Sequence, residues 1–249
     1  MVSRHGEDGG MGGACLGMTA LVTGASSGIG WAIAEALAGQ GAGLLLLGRD
    51  APRLEAAVAS CRAAGSPMAE ARLADLAGPE EALDALLPER LDILVHAAGA
   101  HGLAPVEGTT PALLDAQLAV NLRAPLLLTR AALPALRASG QGQVVFVNST
   151  QGLSAGRGAA AYAAAKHGLR ALADSLRQEV NADGIRVLSL FPGRTATPMQ
   201  EALYAREQKP WRPEALMQPE DVAAMALAAL LLPRTAEVTE ITMRPLRPG

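Results

Sequence analysis

From Met18 onward, short apolar runs alternate with stretches whose apolar residues recur at helical spacing, the pattern of a parallel sheet built from right-handed crossovers. The runs predict strands at Thr19–Thr23, Gly43–Gly48, Met68–Leu73, Asp92–His96, Gln143–Asn148, Arg186–Phe191 and Val238–Met243. Helices are expected over Ile29–Gly39, Ala51–Ala64, Glu80–Leu87, Pro111–Arg137 with an irregularity near Pro125, Ala160–Asn181 and Pro219–Leu232. Asp50 reads as an N-cap ahead of Ala51 and Pro52, and Pro219 suits a first helical turn, where a missing N–H costs nothing. One long stretch, Arg194–Gln218, breaks the pattern with three prolines set among Met199, Leu203, Tyr204, Trp211 and Met217. Such a segment is expected to be an apolar lid over a substrate, the alternative being a plug in the core or an interface.

Half of the 249 residues are apolar, enough for one sizeable α/β core, and no internal repeat, heptad or linker divides the chain. A single domain over residues 18–249 is therefore expected. Met1–Gly17 is Gly-rich, carries both charge signs and lacks a signal peptide's apolar centre, which predicts a disordered tail and a cytoplasmic protein. The net charge of -3 offers no field for nucleic acid or an anionic membrane. The longest apolar run, Ala223–Leu232, is far short of the roughly 20 residues of a membrane span. Cys15 and Cys61 supply no disulfide framework, and His5, His96, His101 and His167 lack metal-ligand spacing, so no metal is expected.

What remains is small-molecule chemistry, and the first strand leads into it. Thr23-Gly24-Ala25-Ser26-Ser27-Gly28-Ile29-Gly30 joins that strand to a helix. Glycines there let the backbone approach a pyrophosphate, and the helix start offers free N–H groups and partial positive charge. By itself such a loop could also be a tight strand-to-helix turn. The second strand ends at Gly48-Arg49, where dinucleotide folds choose between cofactors. A carboxylate at that point would bind a ribose 2′-hydroxyl; here Gly48 leaves room for a 2′-phosphate and Arg49 can grip it, which selects NADP(H) over NAD(H). Asp75 after the third strand could accept a bond from the adenine amino group or be a solvated loop residue. Ala97-Ala98-Gly99 after the fourth could lie against the adenosine ribose or be ordinary turn chemistry.

Tyr162 and Lys166, four apart in a helical stretch, share one face. An ammonium there is expected to lower the phenol pKa toward the working pH, making Tyr162 a tunable acid/base, while Lys166 also holds the nicotinamide ribose. The chain's tyrosines are Tyr162 and Tyr204 and its lysines Lys166 and Lys209, so a chance pairing at this spacing is rare. Ser149, at the end of the fifth strand, could bond the substrate oxygen, and Asn121, a poor helix former, could hold a water serving Lys166 or mark a kink.

Together these residues resemble the short-chain dehydrogenase/reductase family, from Met18 to about Leu232. Thr23–Gly30 is similar to its Thr-Gly-x-x-x-Gly-x-Gly loop, Ser149, Tyr162 and Lys166 to its Ser and Tyr-x-x-x-Lys spacing, and Asn121 to the Asn of its catalytic tetrad. The resemblance implies a doubly wound sheet of seven mostly parallel strands in the order 3-2-1-4-5-6-7 with helices on both faces. It also implies that Gly24, Ser26, Ser27, Gly28, Ile29, Gly30, Arg49, Asp75, Leu76, Ala97, Ala98, Gly99, Tyr162 and Lys166 bind the cofactor. Pro192, Gly193, Thr195 and Thr197 are then the segment along the nicotinamide. Homodimers or homotetramers are implied as well; the C-terminus lacks the Gly-rich ending common in tetrameric members, which favours a dimer. His96 stands where the family often has Asn, putting one sheet contact in doubt.

The expected activity is thus hydride transfer between NADP(H) and a carbonyl or secondary alcohol. A non-catalytic NADP(H)-binding sensor or scaffold is the alternative, disfavoured by the intact Ser, Tyr and Lys set. A sugar-nucleotide epimerase would need a larger C-terminal domain and a differently spaced Gly loop. The identity of the carbonyl substrate is not encoded in any motif.

Overall fold

The computed structural model describes residues 13–78 and 81–246. Seven parallel strands, β1 (Thr19–Thr23), β2 (Gly43–Gly48), β3 (Ala69–Leu73), β4 (Ile93–His96), β5 (Gln143–Val147), β6 (Arg186–Pro192) and β7 (Glu240–Met243), form one sheet ordered β3-β2-β1-β4-β5-β6-β7. Every pairing is parallel, with Thr23 opposite Leu47 on one side and His96 on the other. The helices are α1 (Gly28–Ala38), α2 (Ala51–Ala63), α3 (Glu81–Asp84), α4 (Pro111–Leu118), α5 (Ala124–Ser139), α6 (Ala160–Val180), α7 (Pro198–Arg206) and α8 (Pro219–Leu230).

Alternation along the strands explains the two cores, because successive side chains leave opposite faces of a sheet. Ala20, Val22, Leu44, Leu46, Ile93 and Val95 pack under α1, α2 and α8. Leu21, Leu45, Leu47, Leu94, Val144 and Phe146 pack under Leu128, Ala132 and Leu136 of α5 and Leu169, Ala173 and Leu176 of α6. Both faces are covered, so each central strand reads as an unbroken apolar run.

Local chemistry sets the helix ends. Asp50 accepts from Arg53 N at 3.1 Å and caps α2. Gln218 and Asp221 form a reciprocal capping box on α8.

Four expectations are corrected. Residues 13–17, assigned to a disordered tail, form a turn: Cys15 is buried and its N–H reaches Gln40 O at 2.9 Å, while residues 1–12 lie outside the described residues. The helix expected over Glu80–Leu87 is the single turn α3, and residue 80 is not among the described ones. The irregularity expected near Pro125 sits one turn earlier, as a π-helical turn at Ala119–Arg123, and Pro125 itself occupies the first turn of α5. The stretch 194–218 is not irregular throughout, since Thr197 caps α7 within it.

The strand order reverses beside β1, whose neighbours β2 and β4 lead in opposite directions. Crossovers from β1 and β4 therefore leave on opposite faces and open a crevice at the carboxyl ends, where such sheets bind ligands.

Candidate active site

The loop after β1 is built for close approach. Gly24 has φ 65°, and a Cβ there would lie 2.7 Å from the Ala98 backbone; one on Gly30 would overlap the Gly24 carbonyl oxygen. Gly28 has φ 56° and faces the Thr197 methyl, 2.9 Å from where its Cβ would sit. Ser27 occupies the N-cap of α1 without a side-chain capping bond, so the first-turn N–H groups point out of the sheet's carboxyl edge unshielded. A cleft of about 440 Å³ opens beside the loop, walled by Ser26, Ser27, Gly28, Trp31, Arg53 and Pro198. Backbone N–H groups, a helix start and a surface that only glycine permits fit a pyrophosphate.

Thr23 ties this loop to the next. Its hydroxyl donates to Val95 O at 3.3 Å and accepts from Ala97 N at 3.0 Å and Ala98 N at 3.1 Å, holding the Ala97-Ala98-Gly99 turn beside Gly24. On the β2 side, Gly48 lies against Leu54 and Ser26, Arg49 is exposed, and Asp50 is engaged by its cap and an ion pair with Arg53 at 3.3 Å. Asp75 is exposed and accepts from Ala77 N at 3.0 Å, a turn contact that leaves its second oxygen available; Leu76 packs on the core.

The candidate proton-transfer residues sit across the crevice. Tyr162 and Lys166 project from α6, both buried, with the Lys166 ammonium 5.8 Å from the Tyr162 ring centre. Ser149, just past the end of β5, accepts from Gln151 N at 3.2 Å, and its hydroxyl is near enough to the Tyr162 phenol to favour the ionised form. Burial pushes the Tyr162 phenol above its ordinary value and the Ser149 hydroxyl partly opposes this. The net shift is thus upward, opposite to the lowering expected from a neighbouring Lys166. Lys166 donates to Val147 O at 3.0 Å, and its own burial pulls it down to about 8.

Asn121, at the centre of the π turn, is wholly buried. Its Nδ2 donates to Ala100 O (2.9 Å) and to Gln117 O and Oε1 (both 3.1 Å), while Oδ1 accepts from Ala100 N at 3.2 Å. Both amide atoms are engaged, so the side chain anchors the turn after β4.

The segment after β6 closes the site. Gly193 N reaches Met243 O at 2.8 Å, continuing the pairing that β6 makes with β7 through Pro192. The Thr195 hydroxyl donates to Gly193 O and is buried, and the Thr197 hydroxyl accepts from Gln200 N while its methyl meets the glycine loop at Gly28. Met199, on α7, comes within 3.7 Å of where a Gly99 Cβ would be.

Two neighbours escaped the sequence reading. His101 packs edge-on against the Tyr162 ring, centroids 4.9 Å apart, and Gln117 is buried against Asn121 and the turn at Gly102. No motif marks either; the signal available was only that each is a polar residue near a candidate. His96 is a satisfied core residue: it stacks on Phe146 at 4.9 Å, its Nε2 meets Thr129 Oγ1 at 2.8 Å, and burial drops its pKa to about 3. Among the described residues no group of acidic, His and Cys side chains could hold a metal, and no helix is long and apolar enough to cross a membrane.

The sequence profile of the short chain dehydrogenases matches residues 18–208. An uncharacterized oxidoreductase of Staphylococcus saprophyticus is 31% identical over 233 residues, spanning 91% of this chain and 97% of its own. A D-beta-hydroxybutyrate dehydrogenase of Cupriavidus necator is 36% identical over 200 residues, 78% of this chain and 77% of its own. The crystal structure of a metagenomic short-chain oxidoreductase in complex with NADP superposes with a TM-score of 0.80 at 32% identity, covering 94% of this chain and all of that one.

Proposed function

The chain belongs to the short-chain dehydrogenase family, and from that premise we propose that it transfers a hydride between NADP(H) and a carbonyl or secondary alcohol, with Tyr162 as the general acid/base. The observation that carries the reading is Tyr162 itself: buried, under the influence of the Ser149 hydroxyl, one helical turn from Lys166, and set across the crevice from a loop that only glycine can form.

The residues present fit the cofactor. Gly24, Ser26, Ser27, Gly28, Ile29 and Gly30 would cradle the pyrophosphate, Arg49 the 2′-phosphate, Asp75 and Leu76 the adenine side, and Ala97, Ala98 and Gly99 the adjoining ribose. Pro192, Gly193, Thr195 and Thr197 would border the nicotinamide, with Tyr162 and Lys166 at its ribose. The similar metagenomic oxidoreductase, crystallised with NADP, supports the same choice of cofactor. When bound, the reduced cofactor supplies the hydride that the carbonyl carbon accepts.

This chain's own groups handle the proton. Tyr162, kept protonated by burial, donates to the carbonyl oxygen as negative charge grows there. Ser149 bonds the same oxygen and fixes its distance from the phenol. Lys166 presents its charge to the phenolate so formed, which favours the departure of the proton to the substrate oxygen. Asn121 holds the turn that borders the ribose. Oxidation runs through the same groups in reverse. The segment 194–218 covers the substrate, and the protein works on small molecules in the cytoplasm as a homodimer or homotetramer, which sedimentation checks.

NADPH absorbance followed across aldehydes, diketones, oxo acids and ketoacyl thioesters tests the reading. Turnover that Tyr162→Phe abolishes is expected. A folded, NADPH-binding protein that turns over none of them, or a Tyr162→Phe variant matching wild type, overturns it.

A further inference from the structure

The strand-end segment Val147-Asn148-Ser149 meets Lys166 twice. The Lys166 ammonium donates to Val147 O at 3.0 Å, and Asn148 Nδ2 donates to the main-chain carbonyl of Lys166 at 3.1 Å. At the other end of the same amide, Asn148 Oδ1 accepts from Ser149 N at 2.9 Å. A single side chain, only 4% exposed, thus bonds the backbone of both Ser149 and Lys166.

An asparagine is costly to bury unless both ends of its amide find partners. Here each end takes a group that regular structure leaves with spare capacity. Strand β5 ends at Val147, two residues before Ser149 N, and the Lys166 carbonyl, inside α6, keeps a second lone pair beyond its helical bond. The surroundings leave the amide little freedom. Asn148 N is fixed to Leu190 O at 2.8 Å, and a Cβ on Gly152 would lie 2.4 Å from Asn148 Oδ1 and 3.0 Å from Lys166 O. The missing side chain at 152 is therefore what lets the strand end and the helix close on each other through Asn148.

The consequence reaches the Ser149 hydroxyl. Its oxygen accepts from Gln151 N at 3.2 Å, while the residue's own N–H goes to Asn148 and its C=O accepts from Gly152 N at 2.8 Å. With those groups engaged, the hydroxyl hydrogen is what Ser149 has left to give to the phenol or to a substrate oxygen.

Resting on the hydride-transfer reading, we propose that Asn148 is a positioning residue for this reaction: by bonding Ser149 N and Lys166 O at once, it fixes the Ser149 hydroxyl relative to the turn of α6 that carries Tyr162 and Lys166. It acts through these neighbours and not on the substrate. Its effect therefore belongs in kcat more than in binding, because a displacement of about 1 Å in a positioned group costs on the order of a hundredfold in rate.

The test follows NADPH oxidation with a carbonyl that wild type reduces, with kcat expressed per NADPH-binding site so that unfolded protein is not counted. Asn148→Ala should lower kcat at least tenfold and leave the NADPH Kd within about threefold of wild type. Asn148→Ser, whose hydroxyl can hold one of the two backbone groups but not both, should lose less, about threefold or more, and it serves alone if the alanine variant does not fold. A merely structural asparagine would lower Tm and leave kcat per site unchanged. A loss smaller than these in the folded variants thus overturns the proposal. Acting through Ser149 makes a second demand: in a Ser149→Ala background the substitution at Asn148 should cost at most about a third of the factor it costs in wild type. A full, additive loss there overturns the proposal as well and leaves hydride transfer intact. Wild type that reduces no carbonyl at all would instead remove the reading on which it rests.

Discussion

Tyr162 illustrates how competing electrostatic effects settle a residue's role. Burial raises its pKa and the Ser149 hydroxyl only partly offsets this, so at neutral pH it holds a proton to give. Tyr162→Phe should lower kcat by about 10²- to 10⁴-fold, the usual worth of a positioned acid/base, measured in steady-state NADPH oxidation. Lys166 makes a second, signed prediction. Its folded-state value of about 8 lies below that of an unfolded lysine, so below pH 8 both states are protonated and the folded one bears the full cost of a buried charge. Between pH 8 and about 10.4 the unfolded chain binds the extra proton, and stability rises with pH. Lys166→Met should therefore be inactive yet more stable than wild type at pH 7, by on the order of 1 kcal/mol, with the gain fading toward pH 10. Urea unfolding at the two pH values checks it; a destabilised variant at pH 7 would contradict it. The same titration should leave kcat/KM for reduction level below about 8 and falling above it, as Lys166 loses the charge that assists Tyr162.

Among the elements, the strand-turn-helix unit β1–α1 is the least tolerant of change. Gly30→Ala would drive a methyl group into the Gly24 carbonyl, inside the loop, where backbone and not a flexible side chain must yield. A loss of about 2 kcal/mol in stability and at least tenfold in NADPH affinity is expected, read by calorimetry and fluorescence titration. This unit was legible in the sequence because glycine spacing encodes backbone geometry directly. Strand positions were legible for a related reason, since a parallel sheet covered on both faces demands unbroken apolar runs such as Leu44–Leu47. Helix α7 was hidden, although Thr197 before Pro198 is a cap followed by a favoured first-turn residue; three prolines and scattered apolar side chains masked it. The π turn at Asn121 was visible as an irregularity but displaced toward Pro125, because a proline in the first turn of a helix breaks nothing, whereas one inserted residue leaves no mark in composition. His101 and Gln117 could not be read at all, since their importance comes from loops and helices meeting across the sheet.

For the whole molecule, the crevice matters because it draws on both halves of the sheet. The glycine loop and Gly48-Arg49 come from β1 and β2, Ser149 and the Tyr162 helix follow β5, and Thr197 follows β6. A cofactor lying across them links halves that otherwise touch through β1 and β4, so its binding free energy appears as global stability. At 100 times Kd, NADPH should add about 2.7 kcal/mol, which for a domain of this size raises Tm by roughly 5–10 °C. On the proposed reading, Arg49 decides which dinucleotide does this. It is exposed and its loop neighbour Asp50 is already occupied by Arg53 N and the Arg53 guanidinium, so a 2′-phosphate meets a cation without a competing carboxylate. A charge-assisted contact of this kind contributes about 1.5–3 kcal/mol, or about tenfold to more than a hundredfold in Kd. NADH at the same concentration as NADPH should therefore shift Tm far less in wild type. Arg49→Ala should bring the NADPH shift down to the NADH value while leaving the NADH shift in place, because the proposed role of Arg49 is confined to the phosphate that distinguishes them. A larger shift with NADH than with NADPH in wild type would reverse the assignment of cofactor and leave the fold and the Tyr162 chemistry untouched.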